Sequence, residues 1–356
     1  MEILKNILNK RRSLSHKMLF YIFITLLLIL GGILTFITIK SEILAKSNAR
    51  ELAQSYSQSY ARFIQDKLNR DMSMARAFGH TVHGLSQFGT EYLLEFSKNS
   101  MKQLVQKNPE FLAAWISWEK QHIDTAWNLP YGRKRITTIN ENGQIKYINE
   151  QLNLEGDNVN SAYYKIKKSK QETIINPYLF SYTGKKEDEI LETSLCIPIL
   201  KNNKFIGLAG MDIGLEVYQD IINELEPLES SKLYLIANNA TFVTHPDTEK
   251  IGSHIAKSYK TIADSFNIAQ HIKEGEPLNF EHTNKTTRIY ALAPIKIGKT
   301  NTPWTLMLHA PLNVIMKEAH TNLIITIFVG IAGLLILLLI VWIISVRITR
   351  PIRYTT

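Results

Sequence analysis

The sequence predicts an α+β protein in which a long N-terminal helix is followed by two tandem α/β units, the whole flanked by two transmembrane helices. Three observations predict it. Residues 18–39 and 323–346 are stretches of 22 and 24 residues without a charge. Residues 41–78 contain neither proline nor glycine and place apolar side chains mostly three or four apart, the mark of one helix face. Beyond Pro109 the pattern changes to short strand-like pieces separated by turn signals, in two successive rounds.

The N-terminal segment, 1–17, carries Lys5, Lys10, Arg11, Arg12 and Lys17 against the single acid Glu2. The apolar stretch after it is long enough at 1.5 Å per residue to cross a hydrocarbon core of ~30 Å. It exceeds the 7–15 residue core of a cleaved signal peptide, and no Ala-x-Ala-like site follows it, so it reads as an uncleaved anchor. The second stretch is followed by Arg347, Arg350 and Arg353 with no acid. Basic flanks stay on the cytoplasmic side. The expected topology is therefore two-pass in a bacterial inner membrane, both termini cytoplasmic and 40–322 extracytoplasmic. A freely soluble protein is excluded. The flanks hold eight of the 41 basic residues and one of the 32 acids, leaving 33 against 31 between the spans. The net charge of +9 thus reflects membrane topology, and no nucleic-acid partner is expected. The lone Cys196 excludes an internal disulfide and multi-cysteine zinc sites.

Residues 41–78 are expected to form a stalk helix of ~57 Å at the standard rise. A membrane-distal unit at about 91–226 begins with a helix over 91–106 that ends before Asn108-Pro109. Its strands are expected at 111–118, at 134–138 and 144–149 around Asn140-Glu141-Asn142-Gly143, and at 190–200 and 205–213 around Lys201-Asn202-Asn203-Lys204. A helix near 216–224 closes it. A membrane-proximal unit at about 231–312 repeats the arrangement with a hairpin of 233–237 and 242–244 about Asn238-Asn239. Helical and loop material over 251–272 follows, then a hairpin of 288–293 with 304–309. The tail, 347–356, restarts a helical pattern around Pro351.

Local strings then narrow the reading. Asn176-Pro177-Tyr178, Thr193-Ser194-Leu195-Cys196-Ile197-Pro198-Ile199 and the run from Phe205 through Gly207, Gly210 and Asp212 to Ile213 resemble the core of a double Cache sensor domain. Thr244-His245-Pro246 with Ile251-Gly252 resembles its second unit, and the tail resembles the start of a HAMP linker. The resemblance implies two PAS-like units and the outer half of a bacterial signal-transduction receptor. A small ligand would then bind the distal unit, and the cytoplasmic output would be of chemotaxis type first, histidine kinase or diguanylate cyclase next. Amino-acid-sensing members carry Arg-x-Trp-Tyr, Tyr-x-Asp and a late-strand Asp. Here these positions read Ser161-Ala162-Tyr163-Tyr164, Tyr178-Leu179-Phe180 and Asp212. The arginine position is Ser161 and one acid is Phe180, which argues against an ordinary α-amino acid, since bidentate Arg–carboxylate pairing supplies the specificity. An amine, a modified amino acid or an organic acid remain open, with Arg135 or Lys165 as a substitute base. The expected ligand-binding residues are Asp212, Tyr164, Tyr178, Tyr163 and Trp118.

Read from the residues alone, Asp212 at the end of an apolar strand either meets a cation or donor, because a buried lone charge is costly, or caps the helix that follows. His80 and His83 have the spacing for one metal but no third ligand nearby. Trp115, Trp118 and Trp127 line a pocket or fill the core. The cluster at Lys165, Lys167, Lys168 and Lys170 reads as a solvated helix face. No Gly-x-Ser-x-Gly, phosphate loop or His-Glu-x-x-His occurs, so no catalytic residue, metal or cofactor is implied. The competing classes are a membrane-anchored outer enzyme and a structural anchor. The stripe Leu44–Leu52–Tyr56–Phe63 suits burial between two copies of the stalk, predicting a homodimer.

Overall fold

The computed structural model describes residues 14–85, 88–141, 143–225 and 228–352. Most of the N-terminal basic flank, the end of the C-terminal tail, and the turn positions Asn142 and Pro227 lie outside the described residues. The chain groups into two compact units. One comprises residues 1–51 and 312–356, the other Leu52–Pro311.

The first unit is helical where described. Helix α1 (Leu14–Leu85) and the C-terminal helix each contain a segment long and apolar enough to cross a membrane. At Gly330 a Cβ would stand 2.9 Å from Leu34 Cδ2, so the missing side chain lets the two segments approach, as small residues do between membrane helices.

The second unit is built on the outer part of α1. Ala53, Ser57, Ala61, Ile64, Leu68, Met72, Ala75, Phe78 and Val82 are buried, a three-or-four repeat that packs the helix on the chain's own sheets. Leu52 and Phe63 are exposed, so the stripe expected between two stalks lies off this packed face. The helix also continues through Gly79, expected near its end. A Cβ there would lie 3.2 Å from Ile197 Cγ2 and 3.5 Å from Ala209 Cβ, so this glycine marks close packing on the sheet and not a stop.

After α2 (Thr90–Lys107) come β1 (Phe111–Glu119), the short α3 (Lys120–Ile123), β2 (Arg133–Glu141), β3 (Gln144–Leu152), α4 (Ala162–Ser169), β4 (Thr173–Ile174), β5 (Tyr178–Phe180), β6 (Ile190–Lys201), β7 (Lys204–Gly214) and α5 (Leu215–Asn223). The seven strands form one antiparallel sheet in the order β3-β2-β1-β7-β6-β4, with β5 also paired to β6. A second antiparallel sheet, β8-β11-β10-β9, joins β8 (Lys232–Ile236), β9 (Leu278–Thr283), β10 (Thr287–Ile295) and β11 (Trp304–Pro311). Helices α6 (Ile255–Ser265) and α7 (Ile268–Glu274) lie between β8 and β9 in sequence, and α8 (Leu312–Ile315) and α9 (Lys317–Ile352) end the chain. The expected strand at 242–244 is reduced to a single bridge, Ile236 to Phe242. Ala240 takes a left-handed turn, φ 60°, after which Val243 bonds Leu235 on one side and Phe242 bonds Ser253 and Gly252 on the other.

The outer part of α1 is also hydrogen-bonded to the rest of this unit. Ser57 Oγ donates to the Ala291 carbonyl at 2.9 Å, Gln54 Nε2 to Leu292 at 3.0 Å, and Arg76 pairs with Glu172 through two nitrogens.

Candidate functional site

Strand alternation sets which side chains of the first sheet share a face. Trp115 lies opposite Thr137 on β2 and Gly210 on β7, and Asp212 opposite Ser194 on β6. These residues, with Arg133 and Arg135, face a cavity of about 370 Å³ closed by α4 and the β5 segment. The opposite face carries Ile197 and Ala209 against α1.

Asp212 is the centre of the site. It is 3% exposed, and three donors hold its carboxylate. Trp115 Nε1 and Ser194 Oγ reach Oδ1 at 2.8 and 2.6 Å, and the Tyr182 hydroxyl reaches Oδ2 at 3.0 Å. Gly210 makes the first bond possible, because a Cβ there would overlap the Trp115 ring at 2.2 Å. Since the single Ser194 proton points at Asp212, the Tyr178 hydroxyl, 2.6 Å from Ser194 Oγ, donates inward. Asp212 does not cap the helix after it: the N-cap of α5 is Gly214, with no side-chain bond.

Behind Asp212 lies a second buried acid. Tyr182 Oη is 2.7 Å from Glu192 Oε2 as well as 3.0 Å from Asp212. One hydroxyl has one proton, so both contacts are good hydrogen bonds only when a carboxyl also carries a proton. Burial, reinforced by the Asp212 charge, pushes Glu192 up to about 8. Burial likewise raises Asp212, against the pull of Ser194, Trp115, Tyr182 and Arg135. The pair therefore holds a shared proton near neutral pH.

The other end of the cavity is basic. The Arg133 guanidinium lies 4.2 Å from the Tyr163 ring centre and donates to Ser117 Oγ at 3.1 Å. It has no carboxylate partner among the described residues, and its Nε is buried without an acceptor. Arg135 is held by Glu150 at 2.7 Å and lies over the Phe180 ring at 5.5 Å. Tyr163 is fixed by donating to Glu119 Oε1 at 2.6 Å, whose other oxygen accepts from Lys167 at 2.8 Å.

Of the residues singled out from sequence, the structure brings Asp212, Tyr178 and Tyr163 together on the cavity. Tyr164 and Trp118 are not among its lining. On α4 the buried side chains are Tyr163 and Ile166, while Tyr164, one position round the helix, turns outward beneath Lys168. Trp118 is three residues from Trp115 on β1 and so faces the other side, where Gly207 gives its ring room. Ser161, at the family's arginine position, is the N-cap of α4, its Oγ accepting from the Tyr164 amide at 3.2 Å. Lys165 is exposed and only Arg135 of the two substitute bases lines the cavity. Sequence reasoning missed Arg133, Tyr182, Glu192 and Ser194. The alternations Tyr178-x-Phe180-x-Tyr182 and Glu192-x-Ser194 were the available signal.

Comparison with known proteins agrees with this architecture. The Cache domain family model matches residues 40–319. The methyl-accepting chemotaxis protein PscA of Pseudomonas syringae pv. tomato is 27% identical over 99 residues, a match spanning 28% of this chain and 15% of PscA. Among solved structures, the extracellular domain of the candidate histidine kinase mmHK1S-Z2 aligns with TM-score 0.61 and 21% identity, covering 75% of this chain and 99% of that one. The periplasmic sensory domain of the Campylobacter jejuni chemoreceptor Tlp1 gives 0.58 and 15%, covering 77% and 98%. The ligand-binding domain of Mlp24, solved with asparagine, gives 0.51 and 12%, covering 78% and 99%. At these identities the structural likeness is one of fold.

Proposed function

We propose, from the premise that this chain belongs to the Cache domain family, that it is a two-pass transmembrane receptor whose membrane-distal unit binds one small polar ligand. Asp212, Tyr178 and Tyr163 contact that ligand in this reading, together with Arg133. One observation carries it: a buried carboxylate aimed by Trp115, Ser194 and Tyr182 into the same cavity as an arginine without a carboxylate partner. A buried acid and a buried arginine that do not pair with each other are costly to keep, and a ligand carrying a cationic or donor group and an anionic group would stabilise both. An amine, a modified amino acid or an organic acid each supplies at least one of these groups.

The basic flanks support cytoplasmic termini and an extracytoplasmic sensor region. Ligand binding shifts the second span relative to the first only if two arrangements differ in affinity for it. The output is a cytoplasmic module of chemotaxis type first, of histidine kinase or diguanylate cyclase type next. Homodimerisation through the stalk is supported by the exposure of Leu52 and Phe63.

A thermal-shift screen of amines, amino acids and organic acids finds the ligand, since binding raises the melting temperature by mass action. Calorimetry on Asp212→Asn then tests the site. Loss of about 1–3 kcal/mol of binding, with the fold intact by circular dichroism, is expected. Unchanged affinity would remove Asp212 from the site.

A further inference from the structure

The second α/β unit contains a cavity of its own, of about 490 Å³, between α6 and the β9–β10 hairpin. Five nitrogen bases border it, Lys260, His282, Lys285, Arg288 and His309, and no carboxylate is among the lining residues. Arg288 makes no ion pair among the described residues. Its one polar side-chain contact is His309 Nε2, at a long 3.4 Å. An arginine spends its five donors on carboxylate or phosphate where it can, and here none is supplied.

The wall of the cavity is ordered well beyond what a solvated groove needs. Phe280 on β9, Tyr290 on β10 and His309 on β11 are successive cross-strand partners, and their rings stack with centroids 4.9 and 4.4 Å apart and planes within 4° and 14°. Phe266 continues the stack at 3.8 Å. His309 is 8% exposed. Its other nitrogen, Nδ1, lies 3.4 Å from the Tyr234 hydroxyl, which is 3.2 Å from the Tyr259 hydroxyl. Tyr259 interrupts α6 with φ −131° and ψ 38°, and that break brings its hydroxyl to Tyr234 and to 3.5 Å from His245 Nε2. A polar chain of this kind, crossing an otherwise aromatic and aliphatic core, is costly unless its ends are satisfied. The end at Arg288 opens into the cavity.

We infer that the second unit holds a separate binding site for a small soluble anion, a carboxylate or a phosphate, seated on Arg288 and His309 with Lys260 and Lys285 at the mouth. The proposal stands on this unit's own geometry and is independent of what the first cavity binds. The groups facing His309 are Arg288 and Tyr290 from β10, Tyr234 and Lys232 from β8, and Tyr259 from α6. Burial, Arg288 and Lys232 together bring His309 down to about 4, so it is neutral at pH 7 and accepts from Arg288 or donates to an anion, according to its tautomer.

The test uses the full chain in detergent at pH 7, with inorganic phosphate and succinate as probes against potassium chloride at matched ionic strength. At concentrations up to about 50 mM, phosphate or succinate is expected to raise the melting temperature by several degrees beyond the chloride control. Arg288→Gln should abolish the rise, while Arg288→Lys, which keeps the charge but not the fork, should keep part of it. Asp212→Asn, in the other cavity, should leave it whole. A cooperative unfolding transition in chloride establishes that each variant folds. No rise with either anion, a rise that survives Arg288→Gln, or a rise lost in Asp212→Asn overturns the assignment.

Discussion

Glu192→Gln isolates the effect of the shared proton on stability. In the folded chain burial and the Asp212 charge push the Glu192 carboxyl from 4.5 to about 8. The folded state then binds the proton more tightly than the unfolded state, so this stabilisation is fully present below about pH 4.5. It is lost as the pH rises through about 8. At about 1.36 kcal/mol per tenfold in proton affinity, the span corresponds to about 5 kcal/mol, or roughly 10–20 °C in melting temperature for a unit of this size. Glutamine cannot ionise. Its amide donates to Tyr182 Oη, which leaves the Tyr182 proton for Asp212. The variant should therefore melt close to the parent at pH 5 and well above it at pH 9, with a residual slope because burial also raises Asp212. Thermal unfolding of the full chain in detergent, followed by tryptophan fluorescence from pH 5 to 9, measures this. A slope in Glu192→Gln equal to that of the parent would refute the shared-proton account.

Three further outcomes are expected. Gly210→Ala places a methyl group 2.2 Å from the Trp115 ring, so the indole must leave Asp212. A loss of about 1–3 kcal/mol of stability together with weakened ligand binding is expected, and binding at parental affinity would show that the Trp115–Asp212 bond is dispensable. For topology, a cysteine introduced at the exposed Glu187 should react with a membrane-impermeant thiol reagent in intact cells while one at Ser13 should not. Cys196 is buried and its thiol is pushed up by burial, so it stays silent, and the reverse labelling pattern would overturn the assigned orientation. For the dimer, single cysteines at Leu52, Tyr56 and Phe63 in a Cys196→Ser background should form intersubunit disulfides in membranes, in a helical pattern altered by ligand. Failure at every position would place the exposed stripe against something other than a second stalk.

The fold was readable where burial imposes a period. The long helix, the strand pairs about Asn202-Asn203 and the second-unit hairpin of β10 and β11 all follow from apolar spacing and turn residues. Two-residue β4 and three-residue β5 did not, because so short a run carries no period. β9 reads Leu-Asn-Phe-Glu-His-Thr, and its one buried residue is Phe280. The site was legible in part for a different reason. Asp212 is visible as a charge inside an apolar run, but which aromatic side chain meets it depends on strand register, and register is not written in one strand alone. Trp115 and Trp118 are equally aromatic and equally close in sequence. Pairing of Trp115 with Gly210 decides between them, and neither strand alone announces that pairing. Arg133 was hidden in the same way, its role fixed by a neighbour, Tyr163, on a helix that no strand pattern announces.

Register also constrains what the first cavity can hold. On β1, Arg133 is paired with Glu119 and Asp212 with Ala113. Six residues of strand separate those levels, roughly 20 Å at ~3.4 Å per residue. The side chains close much of that span, because Arg133 reaches back to Ser117 Oγ and Trp115 Nε1 reaches forward to Asp212. Arg135 stands two residues nearer along β2, but its Nε is already committed to Glu150. Ser161 caps α4 where the resemblance implies an arginine, and the two arginines of the cavity stand on β2, so its positive pole lies on the sheet.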